Sequence, residues 1–378
     1  MADEKFDAIV VGGGLAGLSA AYVLAQGGRE VLLVEKGDSC GSKNMTGGKL
    51  CTHSLEKLFP NREFEEAVER KIIRNKVFLR KNDSVAPLDF SPESLGLSQS
   101  ESYSVSRAVL DGWFAEQAEE AGVMLVCGIV VDELLVQNGK VCGIRAGEEE
   151  MEADLVILAD GTNSLLAQSL GVFPELSPKH TCVGCKEIIR QPGDEINKTF
   201  GLQDGEGEEW MFLGDRSEGQ VYDGFLYTNR DTLSVGITME IADISKTTKS
   251  VPEMLDEFKQ HPAVAPYLPE SGTEEYSAHL LHKGSTLPAE KLYGNGYLIA
   301  GDAAGLTSNL GFLVRGMDMA IESGRLAGEV ALAALEGGDV CEKRLADYQA
   351  LLEQSFIWSD MKKCGEYCEN AWEGWKQH

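Results

Sequence analysis

A glycine-rich turn near the N-terminus constrains the fold of this chain more than any other feature. An apolar strand-like run leads into Gly12, Gly14 and Gly17, a helical pattern follows, and a second apolar run ends on Glu35. In this G-x-G-x-x-G spacing the glycines allow a tight turn, a close backbone approach to a pyrophosphate and close helix packing, while the acidic residue accepts ribose hydroxyls. The unit therefore predicts a dinucleotide-binding βαβ fold. The expected contacts here are Gly12, Gly14, Leu15, Ala16, Gly17, Glu35 and Lys36.

The length, composition and net charge of the chain limit the size of its core, its partners and its location in the cell. With 378 residues, 43% of them hydrophobic, the chain can build a large core and two interwoven domains. Its formal net charge of −27 makes nucleic acid an unfavourable partner. The sequence shows neither a membrane-spanning apolar run nor a signal peptide at its start. We therefore expect a cytoplasmic protein, at most peripheral to the inner face of the membrane.

Later segments bear on whether the dinucleotide is NAD or FAD. One apolar strand ends in Asp160-Gly161, another ends in Gly301-Asp302 before a long helix, and a further helix opens at Arg107. In this order the segments resemble the single-dinucleotide flavoproteins related to p-hydroxybenzoate hydroxylase and geranylgeranyl reductase. The resemblance implies that the cofactor is FAD. It also implies cofactor contacts at Arg107, Asp160, Gly161, Gly301 and Asp302.

The expected fold class is α/β, with a Rossmann-like FAD-binding domain and a second, mostly antiparallel β domain that roofs the flavin. The FAD-binding domain is assigned residues 1–75, 101–172 and 292–338. The roof or substrate domain is assigned residues 76–100 and 173–291, and a helical tail is assigned residues 339–378. Within the FAD-binding domain, Asn138-Gly139 predicts the two-residue turn of an inserted hairpin.

Five longer segments carry a closer resemblance. They are Gly41–Leu50, Val183–Glu187, Gly224–Asn229, Gly301–Gly305 and Asn309–Asp318. All of them resemble FixC-type flavoproteins, which are relatives of electron-transfer-flavoprotein:quinone oxidoreductase. The resemblance extends to about residue 355. It implies an oxidoreductase whose FAD takes electrons from an electron-transfer flavoprotein and passes them toward quinone or a small ferredoxin-like partner.

The same resemblance implies two further elements beside the flavin. A loop at residues 43–48 would lie against the isoalloxazine. A helix start at residues 311–312 would direct N–H groups and a positive dipole at the flavin edge that becomes negative on reduction. The implied contacts are Lys43, Asn44, Gly47, Gly48, Gly311 and Phe312. Arg315 either adds a cation on that side or is a surface residue.

No metal site is expected, and no acid or base is assigned beside the cofactor. Nine cysteines without a secretory signal fit a reducing compartment. Cys182 and Cys185 have C-x-x-C spacing but lead into a strand, not into the helix that lowers the pKa of a redox thiol. Cys364 and Cys368 share a helix face, and neither pair has two further ligands nearby, so both pairs are expected to pack in the interior. His279 lies on a predicted strand and is expected to be structural or exposed.

Two other functions stay open. One is a flavin-dependent reductase of isoprenoid double bonds, as in geranylgeranyl reductases, although Met45-Thr46-Gly47-Gly48 stands where those enzymes usually have Cys-Gly-Gly. The other is a flavin-holding subunit of an electron-transfer complex that turns over nothing alone. In the tail, Trp358, Met361 and Trp372 recur near helical spacing. Such a stripe predicts intramolecular docking, or an interface for a partner or a membrane surface.

Overall fold

The computed structural model describes residues 5–42, 47–61, 64–81, 84–89, 101–172, 176–178, 180–214, 221–270, 272–284, 287–288, 291–310 and 313–375, with the backbone alone for residues 89 and 367–375. The strands are β1 Lys5–Val11, β2 Val31–Glu35, β3 Gly48–Cys51, β4 Lys71–Lys81, β5 Ser84–Asp89, β6 Ser102–Val105, β7 Met124–Cys127, β8 Glu133–Gln137, β9 Lys140–Ala146, β10 Glu149–Leu158, β11 Thr181–Arg190, β12 Glu206–Gly214, β13 Tyr222–Thr228, β14 Thr232–Glu240, β15 Thr273–His282, β16 Tyr293–Gly294, β17 Tyr297–Ile299, β18 Ser308–Asn309 and β19 Val314–Arg315. The helices are α1 Leu15–Gln26, α2 His53–Leu58, α3 Arg107–Glu120, α4 Leu165–Ser169, α5 Gly193–Phe200, α6 Val251–Gln260, α7 Met317–Glu336, α8 Glu342–Leu345, α9 Asp347–Gln354 and α10 Phe356–Trp375.

The first sheet is built around the N-terminal strand. Its central strands run β17-β10-β1-β2-β7, and each neighbouring pair in that order is parallel. Ala8, Ile9 and Val10 of β1 have no exposed surface, because a central parallel strand is covered on both faces. The strand order reverses between β1 and β10. The carboxyl ends of these strands therefore form the crevice in which such sheets bind ligands.

A hairpin extends this sheet through antiparallel strands β8, β9 and β10. Asn138 and Gly139 connect β8 to β9 with φ angles of 52° and 75°. Two consecutive left-handed residues are what a type I′ turn requires. The hairpin predicted from Asn138-Gly139 is confirmed.

Helix α7 fixes the position of helix α1 by close backbone contact. A Cβ atom on Gly324 would lie 2.0 Å from Ala16 O, and one on Gly328 would lie 2.9 Å from Ala20 O. Only glycine permits this approach at Gly324, so the two backbones touch there. The N-terminus of α1, which follows the glycine-rich turn, is thereby held rigidly at the crevice.

The second sheet has the order β15-β11-β14-β13-β12-β4-β6-β3 and is antiparallel except for the parallel pair β12–β4. Successive side chains of a strand alternate between its faces. One face is apolar and packs on α6, which begins at a capping box formed by Ser250 and Glu253. The opposite face looks toward the crevice of the first sheet. The α/β fold class with a mostly antiparallel second sheet is as predicted.

The chain passes between the two sheets more often than the assigned domain bounds imply. Strands β3 and β6 come from segments that the sequence assigned to the FAD-binding domain, yet they pair in the second sheet. The bounds of the two domains stay a prediction.

The C-terminal helix α10 packs against the rest of the protein. Ile357, Met361 and Cys364 are buried, as the docking hypothesis for the apolar stripe requires. Arg315 donates to Asp318 and, at 2.7 Å, to Asp360 of α10. Arg315 is therefore buried and paired, and the expectation of a surface residue is wrong.

Among the helices that the structure describes, none is both long and apolar enough to cross a membrane.

Candidate cofactor site

A cavity of about 580 Å³ lies between the carboxyl ends of the first sheet and the inner face of the second. Its volume falls in the range of roughly 300–1,000 Å³ that is typical of small-molecule and cofactor sites. The predicted contacts that line it are Gly12, Gly14, Leu15, Ala16, Glu35, Lys36, Gly47, Gly48, Arg107, Asp160, Gly161 and Asp302. Lys43, Asn44, Gly311 and Phe312 lie outside the described residues.

The three glycines of the N-terminal turn differ in what surrounds them. Gly12 has a φ of +107°, and a Cβ atom there would lie 2.2 Å from Ala159 O. A Cβ atom on Gly17 would lie 1.9 Å from Gly12 O, so these two glycines are required by the turn itself. The Cβ direction of Gly14 meets nothing nearer than Arg107 Nη2 at 3.9 Å. Because Gly14 has no side chain, an open space remains between its backbone and Arg107, and a larger side chain would fill this cradle.

Helix α1 presents its N-terminus to this cradle. Gly14 is its N-cap and provides no side-chain hydrogen bond to the first turn. The leading N–H groups of a helix have no partner within the helix and carry partial positive charge. Leu15 and Ala16 both line the cavity. This end of the helix is therefore suited to a phosphate group.

Glu35 is fixed at the end of β2 by two backbone donors. Gly13 N–H and Gly37 N–H donate to its two carboxylate oxygens, each at 2.6 Å. Glu35 lines the cavity while only 8% of its surface is exposed. An oriented carboxylate beside the glycine-rich turn is the acceptor that an adenosine ribose needs.

Arg107 is anchored at the start of α3. Its Nε and Nη2 donate to the two oxygens of Asp111, both at 2.7 Å. Burial alone would lower the pKa of Arg107, but Asp111 outweighs burial and raises it. This paired side chain lines the cavity opposite Gly14.

Two aspartates, Asp160 and Asp302, follow the carboxyl ends of β10 and β17. Asp160 Oδ1 is buried with no hydrogen-bond partner among the described residues, and burial raises the pKa of this carboxyl. Asp302 lines the same cavity, and its backbone carbonyl bonds to His282 Nε2 at 2.9 Å. A buried acceptor without a partner is costly unless a ligand supplies a donor. Hydroxyls of a ribityl chain or a ribose are donors of that kind, so the site fits FAD.

Gly17 and Gly301 were predicted as contacts but do not line the cavity. Gly301 has a φ of +67°, and a Cβ atom there would lie 2.7 Å from the Ala16 Cβ. Both glycines shape the backbone that stands behind the cavity wall. Their role is to position their neighbours.

The inner face of the second sheet supplies wall residues to which the sequence assigned no role. They are Lys49, Met211, Phe225, Tyr227, Thr238 and His279. Tyr227 lies in the Gly224–Asn229 segment that carried the family resemblance, which was the available signal. His279 is half-buried at the wall, and burial lowers its pKa. It is therefore part of the cavity.

Lys186 is buried directly behind the Gly47 backbone. Its Nζ lies 3.4 Å from Gly47 O, and the side chain has no exposed surface. Burial lowers the pKa of Lys186 to about 7. A proton on this side chain is therefore held weakly and faces the segment that borders the cavity.

Cys182 and Cys185 point to opposite faces of β11 and do not form a redox pair. Cys185 packs in the apolar cluster on the outer face of the second sheet, and Cys182, three positions away on the same strand, points to the other face. Cys364 is buried, while the side chain of Cys368 is outside the description. Within the described part of the chain, no group of three His, Cys, Asp or Glu residues is placed to hold a metal ion.

Comparison with known proteins places this site in a family. The model of the FAD dependent oxidoreductase family matches residues 7–170. A probable electron transfer flavoprotein-quinone oxidoreductase, YdiS of Escherichia coli (strain K12), is 46% identical over 362 residues, which are 96% of this chain and 84% of that protein. Protein FixC of Escherichia coli (strain K12) is 44% identical over 93% of this chain and 82% of its own length.

Solved structures show the same fold. A geranylgeranyl bacteriochlorophyll reductase-like protein from Thermoplasma acidophilum has a TM-score of 0.76 at 21% identity and covers 96% of this chain and 88% of its own. The flavin-dependent brominase Bmp2 has a TM-score of 0.68 at 15% identity, covering 97% of this chain and 90% of its own. At these identities the likeness concerns the fold alone. Because close relatives match nearly the whole chain, the protein belongs to the FixC family of FAD-dependent oxidoreductases, and FAD is its cofactor.

Proposed function

We propose that this FAD-dependent oxidoreductase accepts electrons from an electron-transfer flavoprotein and passes them to a quinone. The observation that carries the proposal is the 46% identity, over 96% of this chain, to a protein named as a probable electron transfer flavoprotein-quinone oxidoreductase. Bound FAD supplies the two-electron chemistry that such a transfer needs. A small ferredoxin-like protein is an alternative acceptor that we propose from the sequence resemblance.

We propose that FAD occupies the cavity with its pyrophosphate at the N-terminus of α1. Gly14, Leu15 and Ala16 would hold the phosphates, and Glu35 would accept the adenosine ribose hydroxyls. Arg107 would add a cation to the phosphate side. Asp160 and Asp302 would accept hydroxyl groups of the chain between the phosphates and the flavin ring. Gly47 and Gly48, with the Lys43 to Thr46 loop, would lie at the ring.

The quinone acceptor is supported by the relative that is named as a probable electron transfer flavoprotein-quinone oxidoreductase. Lys49 and Tyr227 bring buried polar groups to a wall that also contains the apolar Met211 and Phe225. We therefore propose quinone as the substrate class. Since quinones dissolve in lipid, we also propose that the protein works in the cytoplasm, in contact with the inner face of the membrane.

The test uses the FAD-loaded protein under anaerobic conditions. An electron-transfer flavoprotein that co-purifies with it is reduced and added in stoichiometric amount, and bleaching of the flavin is followed before menadione is supplied. Fast bleaching followed by reoxidation is expected. Failure of the electron-transfer flavoprotein to reduce the FAD would contradict the proposed donor. Saturation of a geranylgeranyl chain by the dithionite-reduced protein would instead support the isoprenoid reductase.

If the protein is only a flavin-holding subunit of an electron-transfer complex, the same experiment should give a different result. It would bind FAD and co-purify with partners, yet neither menadione nor a geranylgeranyl chain would reoxidise its reduced flavin. Measured turnover with either acceptor excludes it.

A further inference from the structure

Lys186 is a buried lysine on the inner face of the second sheet, next to the cavity wall. On β11 it lies opposite Gly236 of β14, and Gly236 lies opposite Phe225 of β13, so Lys186 and Phe225 share one face of the sheet. A Cβ atom on Gly236 would lie 2.6 Å from Lys186 Cβ and 2.3 Å from Phe225 Cζ. The lysine stem and a ring that lines the cavity therefore both lie directly over this glycine.

The ammonium end of Lys186 lies against Gly47. Its Nζ is 3.4 Å from Gly47 O and would be 3.1 Å from a Cβ atom on that glycine. Gly47 itself lines the cavity, whereas Lys186 is behind it with no exposed surface. Lys186 thus borders, through one residue without a side chain, the space in which the flavin ring is proposed to lie.

Lys186 is poorly satisfied as a cation. An ammonium has three N–H donors, yet Gly47 O is its only hydrogen-bond acceptor in the part of the chain that the structure describes. Lys49, which is also buried, forms an ion pair with Glu209, but no described carboxylate pairs with Lys186. A buried charge without a partner is costly, and a lysine avoids the cost by losing its proton.

The charge of Lys186 depends on its surroundings. Burial has the largest effect and lowers the pKa of Lys186 to about 7, while Glu275 on β15 raises it and Arg107 at the start of α3 lowers it further. The other titratable side chains on this face of the neighbouring strands are Asp223 and Tyr227 on β13, Glu240 on β14 and His279 on β15. Burial lowers the pKa of His279, so that ring is neutral above pH 7. Lys186 can therefore change its charge near neutral pH when a new charge appears beside it.

We propose that Lys186 takes up a proton when the bound FAD is reduced, so that its ammonium offsets the negative charge that the reduced cofactor carries. The inference rests on the proposed position of the flavin ring beside Gly47 and Gly48. Two electrons from the donor and one proton from water convert the oxidised flavin into a reduced flavin with one negative charge, and a second proton from water binds to the Lys186 amine. A negative charge near a lysine favours its protonated form, and a cation near the ring in turn favours the reduced flavin.

The pH dependence of the midpoint potential counts the protons that accompany reduction. FAD-loaded protein is titrated with dithionite in the presence of a reference dye, at several values between about pH 7 and 9. Wild-type protein should take up two protons per two electrons, so each pH unit at a fixed potential should raise the ratio of oxidised to reduced flavin about 100-fold. Lys186→Met should take up one proton, which gives about a 10-fold change. Lys198→Met, at an exposed lysine on α5, is the control and should behave as the wild type.

A second readout follows Lys186 itself and does not depend on turnover. In protein labelled with carbon-13 at the lysine Cε atoms, the NMR signal that is missing from Lys186→Met belongs to Lys186. Its pKa should be about 7 in the oxidised, FAD-loaded protein, and the amine should bind a proton at least about tenfold more tightly after reduction. The Lys198 signal, assigned in the same way, should titrate identically in both redox states.

Two results of the potential measurement would overturn the inference. They are one proton per two electrons in wild-type protein, or two in Lys186→Met, where another group such as His279 would take the proton. An equal pKa of Lys186 in the two redox states would overturn it too. If Lys186→Met does not retain FAD, Lys186→Gln assigns the signal and the wild-type titration still decides. Neither measurement uses an electron-transfer flavoprotein or a quinone, so failure of the proposed donor or acceptor would leave both results unchanged.

Discussion

Arg107 Nη2 lies 3.9 Å from the position that a Cβ atom on Gly14 would take, and outside the glycine-rich turn and its helix no described heavy atom is closer to that position. One side of this space is a guanidinium held by Asp111, and the other is the N-terminus of α1. Both are positive, one by formal charge and one by the helix dipole. The guanidinium and the helix N-terminus thus present two groups of positive character to the space where an anionic pyrophosphate would bind.

Gly14→Val should remove FAD binding without unfolding the protein. The valine side chain has room in the structure but occupies the space of the pyrophosphate, so we expect FAD affinity to fall at least about 100-fold. Flavin absorbance after gel filtration and circular dichroism measure the two effects. Gly112→Ala is the control, because Gly112 lies on α3 with no atom within 4 Å of its Cβ direction. Full FAD occupancy in Gly14→Val would contradict the assigned phosphate site.

Glu35→Gln should weaken FAD binding by about 10- to 100-fold. The amide is nearly the same size, but it replaces an acceptor-only carboxylate, and charge-assisted hydrogen bonds contribute about 1.5–3 kcal/mol. The dissociation constant is measured by fluorescence titration of the apoprotein. Glu30→Gln, five positions earlier on an exposed loop, is the matched control. Equal dissociation constants in both variants would argue against a ribose at Glu35.

Arg315→Met should destabilise the protein by about 3–5 kcal/mol. The substitution leaves Asp318 and Asp360 buried without their cation, and breaking a buried pair costs about that much. Urea unfolding followed by circular dichroism gives the free energy of unfolding. Arg344→Met breaks an exposed pair with Asp347 and should change that free energy by less than about 1 kcal/mol. If the two variants lose equal stability, the docking of α10 does not depend on Arg315.

Lys186→Met should stabilise the oxidised protein, and the gain should shrink as the pH rises. Burial lowers the pKa of Lys186 from 10.5 to about 7, so above pH 7 the unfolded chain binds a proton that the folded chain does not. Wild-type stability therefore increases with pH up to about 10.5, and the penalty below pH 7 is at most about 5 kcal/mol. Melting temperatures of both proteins between pH 7 and 10 measure this convergence. Lys198→Met, at an exposed lysine, is the control variant.

The phosphate side of the site was predictable because its residues are close in sequence. Gly12, Gly14 and Glu35 belong to one βαβ unit, and local pattern determines where such residues lie. The spacing of Gly12 and Gly17 also predicts contact, although the structure shows that Gly17 acts behind the wall.

The roof side was not predictable because its residues meet through distant strand pairings. Glu209 and Tyr227 meet because β13 folds back on β12, and Lys49 reaches them from β3 because β6 joins β3 to β4, which pairs in parallel with β12. In the sequence, each of these three residues looks like an ordinary residue of a strand. Arg315 is a similar case, since its burial depends on Asp360, which lies forty-five residues further along the chain.

The cavity wall begins at Val11 and ends at Ala320, so it is complete only when most of the chain has been made. During synthesis the N-terminal βαβ unit leaves the ribosome first, but the opposite wall does not yet exist. FAD bound in this cavity would therefore join distant parts of the chain at a late stage of folding. A ligand present at about 1,000 times its dissociation constant stabilises the folded state by about 4 kcal/mol. A shortage of riboflavin would then reduce the amount of this protein in the cell as well as its activity.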